Sequence, residues 1–194
     1  GEDPADKKFE GEESWLEIGD NNVFREGVTA HRGTAVGGGI TKIGSDNLHM
    51  PYVHIAHDCI VGDNTVFANN VGISGHVQVG DWAILGGYAG VNQFLKIGAH
   101  AMIGGMTHIT NDIPAFMIVS GRPATVRSIN AIGLERRGFD KEAIMDLREA
   151  YKIIYKRKYS LQEAIDQLKA MREGCETLQV LIDSLESSEK GIHR

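Results

Sequence analysis

The sequence predicts an all-β parallel β-helix followed by a C-terminal α-helical domain. The main observation is an apolar residue at every sixth position from Ile43 to Ile109, with His49 as the single exception. A helix repeats every 3.6 residues and a strand every 2, so a period of six fits neither as one continuous element. The period is typical of a hexapeptide repeat, the signature of a parallel β-helix. The positions are Ile43, His49, Ile55, Val61, Phe67, Ile73, Val79, Leu85, Val91, Ile97, Ile103 and Ile109.

Each coil is expected to contain three short strands joined by tight corners, with every sixth side chain pointing inward. Glycine and asparagine recur where the chain must bend, and they supply the positive φ that such corners need. Residues 18 apart should therefore stack, and successive coils should hydrogen-bond at the roughly 4.8 Å spacing of neighbouring strands. The corner pairs are Asp63-Asn64, Asn69-Asn70, Gly86-Gly87 and Gly104-Gly105.

The chain divides into three parts. Residues 1–14 are charged and poor in apolar side chains, which predicts an arm or loop. Residues 15–121 carry the repeat and are assigned to the β-helix. Residues 122–194 lack the repeat and are assigned to the helical domain.

The first coils show one irregularity. Inward positions follow the six-residue steps from Ile18, but the interval to Ile43 is one residue longer than a multiple of six. We therefore predict a glycine-rich loop over residues 33–42. Loops that leave a rigid scaffold often carry function, although a plain bulge fits the spacing equally well. The expected inward residues here are Ile18, Phe24, Ala30 and Val36.

Three helices are predicted after the repeat. Asp140 is placed as the N-cap of an amphipathic helix, and Ser160 with Glu163 forms a capping box for a second. A third helix is expected from Glu176 to Leu185, and the tail beyond Ser187 should fray. Such a bundle would cover the open strand edge of the last coil, which otherwise invites edge pairing.

Composition limits the classes of partner and compartment. The net charge of −6 and the absence of a basic stripe argue against nucleic acid. Two cysteines, Cys59 and Cys175, give no disulfide framework and suit a reducing cytoplasm. The sequence contains no run of about 18 apolar residues, so it predicts no integral membrane segment. We therefore expect a cytoplasmic protein, with Cys59 as a small core residue.

Histidines are the informative polar residues of the repeat. His54 and His57 flank the inward Ile55, and Asp58 lies 18 residues before His76, so these two should nearly stack. Gly75 takes the matching place beneath His57. An imidazole beside a carboxylate, with a free backbone N–H nearby, suits acyl transfer to a hydroxyl.

Two other interpretations of these histidines stay open. A histidine at a coil corner is commonly a hydrogen-bonded surface or interface residue. Alternatively, His54, His57 and His76 together are compatible with a zinc site that keeps an open position, as in a carbonic-anhydrase-like trimer, and Asp58 would then orient a ligand. A non-enzymatic scaffold is the remaining alternative.

Several motifs resemble the acyl-ACP:UDP-N-acetylglucosamine O-acyltransferases of lipid A biosynthesis. They are the stretch from His54 to Cys59, the Gly75-His76 pair, Asn92-Gln93-Phe94, and Asn130 followed by the stretch from Gly133 to Phe139. The similarity runs over essentially the whole chain. Hexapeptides alone mark only a superfamily, whereas the His-Ile-Ala-His-Asp and Gly-Leu-x-Arg-Arg-Gly-Phe sequences together are far more specific.

The resemblance implies a left-handed parallel β-helix and a homotrimer with active sites between subunits. It also implies transfer of a 3-hydroxyacyl chain from acyl carrier protein to the 3-hydroxyl of UDP-N-acetylglucosamine, without a cofactor or metal. In the family's pattern His57 matches the general base, Asp58 its partner and Gly75 the oxyanion donor. Gly105 matches the residue that sets acyl-chain length. The substrate-binding matches are Asp6, Lys8, His54, His76, Gln93, Asn130, Arg136 and Arg137.

The sequence also departs from the family. Asn92 stands where the family often has histidine, and Ile132 where it often has a glutamate that contacts the nucleotide. The family's first coils have no counterpart, so we expect a shorter helix. The related N-acyltransferase of the same pathway is a rival, but it lacks the stretch from Leu134 to Phe139. A diamino analogue of the sugar nucleotide remains an alternative acceptor.

Overall fold

The structure is a computed structural model that describes residues 1–171 and 175–193. Seventeen strands form three sheets wound into a triangular prism, and every pairing is parallel except that of the last strand; the helices follow. The sheet orders are β1-β4-β7-β10-β13, β17-β16-β14-β11-β8-β5-β2 and β15-β12-β9-β6-β3. The strands are β1 (Trp15–Ile18), β2 (Val23–Phe24), β3 (Thr29–Ala30), β4 (Ile40–Ile43), β5 (Leu48–His49), β6 (His54–Ile55), β7 (Ile60–Val61), β8 (Val66–Phe67), β9 (Gly72–Ile73), β10 (Gln78–Val79), β11 (Ile84–Leu85), β12 (Gly90–Val91), β13 (Lys96–Ile97), β14 (Met102–Ile103), β15 (His108–Ile109), β16 (Met117–Ser120) and β17 (Thr125–Ile129).

The six-residue repeat builds the core as predicted. His54 pairs with Gly72 and Gly72 with Gly90, so residues 18 apart are in register. All twelve inward positions from Ile43 to Ile109 are at most 3% exposed. The prediction of a parallel β-helix is therefore confirmed. Cys59 is buried in this core, and burial raises the pKa of its thiol to about 12, which leaves it unreactive.

Glycine at the corners serves close packing rather than positive φ, contrary to the prediction for Gly86-Gly87 and Gly104-Gly105. Asn64 and Asn70 adopt positive φ as predicted, but at the two glycine pairs the left-handed residue is the bulky one after the pair, as with Tyr88 at φ 60°. Its N–H donates to the carbonyl of the previous coil, which holds the strained conformation. A Cβ at Gly86 would lie 2.5 Å from the Gly105 nitrogen. Only glycine lets adjacent coils approach this closely there.

The first coils differ from the six-residue expectation in one place. Val36 lies in a short 3₁₀ helix, Ala35–Gly37, and is 87% exposed instead of pointing inward. Strand β4 already begins at Ile40, so the inserted loop is shorter than the predicted residues 33–42. Ile18 and Phe24 keep their positions but are partly exposed, because no coil of the described chain covers that end.

The helical domain follows an unpredicted strand and an unpredicted helix. Strand β17 runs antiparallel to β16, so the sheet continues past Gly121, where the repeat ends. The helices are α1 (Ala131–Arg136), α2 (Lys141–Tyr155), α3 (Leu161–Met171) and α4 (Glu176–Glu186). Asp140 caps α2 through the Ala143 N–H, and Ser160 and Glu163 exchange the two bonds of a capping box. None of the helices in the described residues is long and apolar enough to span a membrane.

The end of the chain is held against the last coil, so the prediction of a frayed tail is wrong. The buried Asp112 carboxylate accepts the Ser188 hydroxyl at 2.7 Å, and the Asp112 N–H donates to the Gly191 carbonyl. His193 Nε2 accepts the N–H groups of Thr110 and Asn111. These contacts close the edge of the final coil, as does Ser184 of α4, whose hydroxyl oxygen accepts the Ala115 N–H.

His49 is a buried histidine in an otherwise apolar column. It lies between the rings of Phe24 and Phe67, and neither of its nitrogens has a hydrogen-bond partner among the described residues. Burial lowers the pKa of His49 to about 4, against about 6.5 for an ordinary histidine. The unfolded chain therefore binds the extra proton between pH 4 and 6.5, and stability falls as pH drops through that window.

We expect His49→Leu to raise the free energy of unfolding at pH 7 by about 1–2 kcal/mol, because it removes two unsatisfied nitrogens. Relative to this variant, the wild type should lose about 3 kcal/mol more stability between pH 7 and pH 4. Denaturant unfolding at several pH values measures both effects. An equal pH dependence of the unfolding free energy in the two proteins would contradict the lowered pKa of His49.

Candidate active site

Five of the predicted site residues stack along one edge of the prism, where the chain turns from the sheet of β6 into the sheet of β7. We call this edge corner I; its pairs are His57-Asp58, Gly75-His76 and Gln93-Phe94. Backbone hydrogen bonds hold them in register: the His76 N–H donates to the His57 carbonyl at 3.0 Å, and the Phe94 N–H donates to the Gly75 carbonyl at 3.1 Å. The predicted stacking of Asp58 over His76 is thus observed.

His57 and Asp58 form a close pair. His57 Nδ1 lies 2.7 Å from Asp58 Oδ2, and the Asp58 side chain is fully buried. A buried carboxylate accepts hydrogen bonds and donates none, so Nδ1 carries the proton in this pair. The other ring nitrogen, Nε2, is then left with its lone pair free to accept a proton.

Gly75 lies directly against the imidazole of His57. A Cβ built on Gly75 would be 2.6 Å from His57 Cε1 and 2.8 Å from Nε2, so no side chain fits there without moving the ring. The Gly75 N–H donates to no acceptor among the described residues. It can therefore donate to a ligand oxygen beside Nε2.

His76 packs between the rings of His57 and Phe94. Its ring meets His57 edge-on at 5.3 Å and stacks on Phe94 at 4.4 Å. His76 Nε2 is 3.6 Å from Asp58 Oδ2, which is beyond hydrogen-bond distance. The Lys190 ammonium of the anchored tail lies 5.7 Å from the Phe94 ring centre, so the tail brings a positive charge to this corner.

His54 faces outward on the neighbouring sheet. Its Nδ1 is 2.8 Å from the Thr29 hydroxyl, and its ring meets His31 edge-on at 5.0 Å. Burial, and then the nearby His31 and His57, lower the pKa of His54, which favours the neutral imidazole. Because Nδ1 is bonded to Thr29, Nε2 is the ring nitrogen left to donate to a polar ligand or to accept from it.

The charged arm reaches the same face. The Ala5 N–H donates to His31 Nδ1 at 3.2 Å, and Arg32 pairs with Asp3. Asp6 is half-buried and its carboxylate accepts the Lys8 N–H, while the Lys8 side chain is exposed. The arm is thus fixed beside His31 and His54.

Gln93 lies at corner I beside the departure from the family pattern at Asn92. The Asn92 amide oxygen is 2.7 Å from His108 Nε2, one coil further on. A shallow depression at this end of the corner is lined by Ser74, Asn92, Gln93, Leu95, Thr110 and Lys190. Gln93 therefore lines a recess at this end of corner I.

Three of the predicted contact residues lie at a second corner, where the chain turns from the sheet of β7 into the sheet of β8. Asn130 is buried; its Oδ1 caps α1 by accepting the Gly133 N–H, and its Nδ2 donates to the His100 carbonyl. Arg137 donates to the Trp82 carbonyl and lies 3.2 Å from His100 Nδ1. Arg136 is exposed and makes none of the described hydrogen bonds or ion pairs.

Gly105 lies at the third corner, directly over Gly87 of the coil before. A Cβ there would be 3.2 Å from the Gly87 carbonyl oxygen. The exposed side chains of Tyr52, Tyr88 and Met106 follow the same edge. Gly105, the predicted chain-length residue, therefore adjoins an apolar edge that does not contain His57.

Comparison with known proteins decides the family. The UDP N-acetylglucosamine O-acyltransferase domain 2 model matches residues 112–193, and the bacterial transferase hexapeptide model matches residues 40–75. The acyl-[acyl-carrier-protein]–UDP-N-acetylglucosamine O-acyltransferase of Saccharophagus degradans is 52% identical over 100% of this chain and 75% of its own length. The chain belongs to the UDP-N-acetylglucosamine O-acyltransferase family.

Solved structures of O-acyltransferases agree in fold. LpxA from Acinetobacter baumannii superimposes with a TM-score of 0.98 at 52% identity, over 100% of this chain and 76% of that one. The UDP-N-acetylglucosamine O-acyltransferase of Moraxella catarrhalis gives a TM-score of 0.97 at 45% identity, with the same coverage. The β-helix and helical domain are therefore arranged as in these O-acyltransferases.

The zinc alternative is not favoured by the relatives of this chain, which are named as O-acyltransferases. The predicted zinc ligands were His54, His57 and His76, but His54 Nδ1 is engaged by Thr29. Among the described residues, the group close enough to share a metal is instead His57, Asp58 and His76, whose ligand atoms lie within 4.8 Å of one another. The Asp58 oxygens of that group already accept hydrogen bonds from protein donors.

Sequence reasoning missed two threonines in this O-acyltransferase site. The Thr41 hydroxyl accepts the Asp58 N–H at 2.7 Å. Thr34 donates to the Asp58 carboxylate twice, through its N–H to Oδ1 and through its hydroxyl to Oδ2, each at 2.7 Å. Both residues lie in or next to the inserted loop, about one coil before Asp58 when that loop is discounted. That spacing was the only available signal.

Proposed function

We propose that this protein transfers a 3-hydroxyacyl chain from acyl carrier protein to the 3-hydroxyl of UDP-N-acetylglucosamine, the first step of lipid A biosynthesis, in the cytoplasm and without a cofactor. The curated relatives are named for acyl carrier protein and this sugar nucleotide. The observation that carries the proposal is the His57–Asp58 pair. It leaves His57 Nε2 free beside Gly75, whose backbone N–H is available to a ligand.

The chemistry follows from the positions of these groups. His57 Nε2 removes the proton from the sugar hydroxyl while that oxygen attacks the thioester carbonyl carbon and forms a C–O bond. The carbonyl oxygen becomes an oxyanion that the Gly75 N–H stabilises. Its collapse breaks the C–S bond, and the imidazolium returns the proton to the departing thiolate of the carrier. The Asp58 carboxylate steadies the imidazolium between these two transfers.

A homotrimer of left-handed coils supplies the rest of the site in this proposal. The family resemblance assigns to one active site residues that lie on three different corners of a single chain: His57, Arg137 and Gly105. Neighbouring copies packed edge to edge bring different corners into one cleft. Arg136 and Arg137 of one copy would then meet the phosphates of a nucleotide whose sugar reaches His57 of another, because guanidinium groups suit phosphate oxygens.

We expect Gly105→Met to shift donor preference toward shorter acyl chains. Glycine leaves room at the third corner, and a long side chain would fill the space where the end of the acyl chain would lie. Transfer rates for a series of hydroxyacyl carrier proteins of different length measure the shift. An unchanged preference in the folded variant would refute the chain-length role of Gly105.

The acceptor is tested by offering the wild-type protein hydroxyacyl carrier protein with UDP-N-acetylglucosamine or with its diamino analogue. We expect an ester at the 3-oxygen, which mild base cleaves, and unchanged transfer in the presence of a chelator. Transfer to the amine alone would contradict the proposed acceptor. Stoichiometric zinc in the purified protein, with loss of activity on its removal, would favour the zinc alternative instead.

A further inference from the structure

We propose that Thr34 is a positioning residue that fixes the Asp58 carboxylate and, through it, the proton on His57 Nδ1. This inference rests on the proposed function, in which His57 is the general base. His57 can take up a proton only when its Nε2 is unprotonated. Thr34 does not touch the reacting atoms. It acts through Asp58, which lies 24 residues later in the sequence.

The hydrogen bonds show why Asp58 cannot turn. Oδ1 accepts the Thr34 N–H, while Oδ2 accepts both the Thr34 hydroxyl and His57 Nδ1–H, all at 2.7 Å. The side chain is fully buried, so water does not compensate for a lost donor. Because the hydroxyl and the imidazole share one oxygen, the threonine holds that oxygen where Nδ1 needs it.

The inserted loop is built around this contact. The Thr34 carbonyl accepts the N–H groups of Gly37 and Gly39, and its hydroxyl accepts the Gly37 N–H at 3.2 Å. Gly37 packs against the carboxyl group so closely that a Cβ would overlap it. Glu12 of the arm accepts the Ala35 N–H at 3.1 Å and ties the loop from outside. The loop therefore covers Asp58 and excludes solvent from it.

The test compares Thr34→Val, Thr34→Ala and Thr34→Ser. Valine and alanine remove the hydroxyl donor, whereas serine keeps it. We expect kcat to fall about 10- to 100-fold in the first two variants with KM for both substrates within about twofold, and serine to restore most of kcat. Thr65→Val is the matched control, because the buried Thr65 also donates its N–H and hydroxyl at 2.7 Å, but to Asn47 at a different corner.

A second readout does not depend on substrates. Histidine ¹⁵N NMR should show His57 as the Nδ1–H tautomer in the wild type and in Thr34→Ser and Thr65→Val, and mixed tautomers in the other Thr34 variants. Unchanged kcat and tautomer in folded Thr34→Val or Thr34→Ala would overturn the proposal, as would equal losses in Thr34→Ser. If the wild type transferred no acyl chain yet the tautomer still responded to Thr34, the proposed function would fail and the positioning role would stand.

Discussion

His57→Ala is expected to lower the rate of acyl transfer by about 10²–10⁴-fold, because it removes the general base. The Nε2 lone pair is the proton acceptor that corner I provides, and alanine leaves the sugar hydroxyl to lose its proton to water. The side chain lies at a corner and is outside the apolar core, so the fold should persist. Single-turnover transfer from hydroxyacyl carrier protein measures the loss.

The control for His57→Ala is structural. Circular dichroism, the melting temperature and the oligomeric state should match the wild type, so that lost activity reports chemistry. A folded variant with full transfer activity would show that His57 is not the base. It would leave a structural trimer or scaffold as the better interpretation.

Gly75→Ala should cost about 10²–10³-fold in kcat, although it adds only one methyl group. The new Cβ would lie 2.6 Å from His57 Cε1, so the imidazole must move away from residue 75. The loss comes from the displaced imidazole, since loss of a general base costs about 10²–10⁴-fold, whereas alanine keeps the backbone N–H of residue 75. Steady-state kinetics with both substrates saturating isolates the effect on kcat.

Gly72→Ala is the stability control for Gly75→Ala. A Cβ at Gly72 meets no atom within 4 Å, and this glycine lies on the adjoining strand β9. Both variants should unfold near the wild-type midpoint. If Gly75→Ala retained wild-type kcat, catalysis would not depend on the close contact between residue 75 and the His57 ring.

The repeat and the stacking of His57 and Asp58 on the next coil could be predicted because both depend on fixed spacing. A six-residue period places each apolar side chain inside, and an 18-residue coil places His57 over Gly75 and Asp58 over His76. These relations need no knowledge of how the coil bends. They follow from the sequence once the period is recognised.

Features that depend on three-dimensional packing could not be predicted from the sequence. The inserted loop breaks the 18-residue spacing, so only an approximate separation of one coil pointed to Thr34 as the partner of Asp58. The tail beyond Ser187 looked unstructured because its anchor, Asp112, is a single residue far along the chain. The glycines of Gly86-Gly87 and Gly104-Gly105 were assigned to positive φ, although the bulky residue after each pair takes that conformation and the glycine permits close contact between coils.

The most direct test of the account is an experimental structure of the protein with UDP-N-acetylglucosamine bound. We expect the sugar 3-hydroxyl oxygen within about 2.6–3.2 Å of His57 Nε2. The phosphates should lie toward the arginines of a neighbouring copy. A nucleotide held entirely within one chain, or a 3-hydroxyl remote from His57, would contradict the assignment of this corner as the catalytic site.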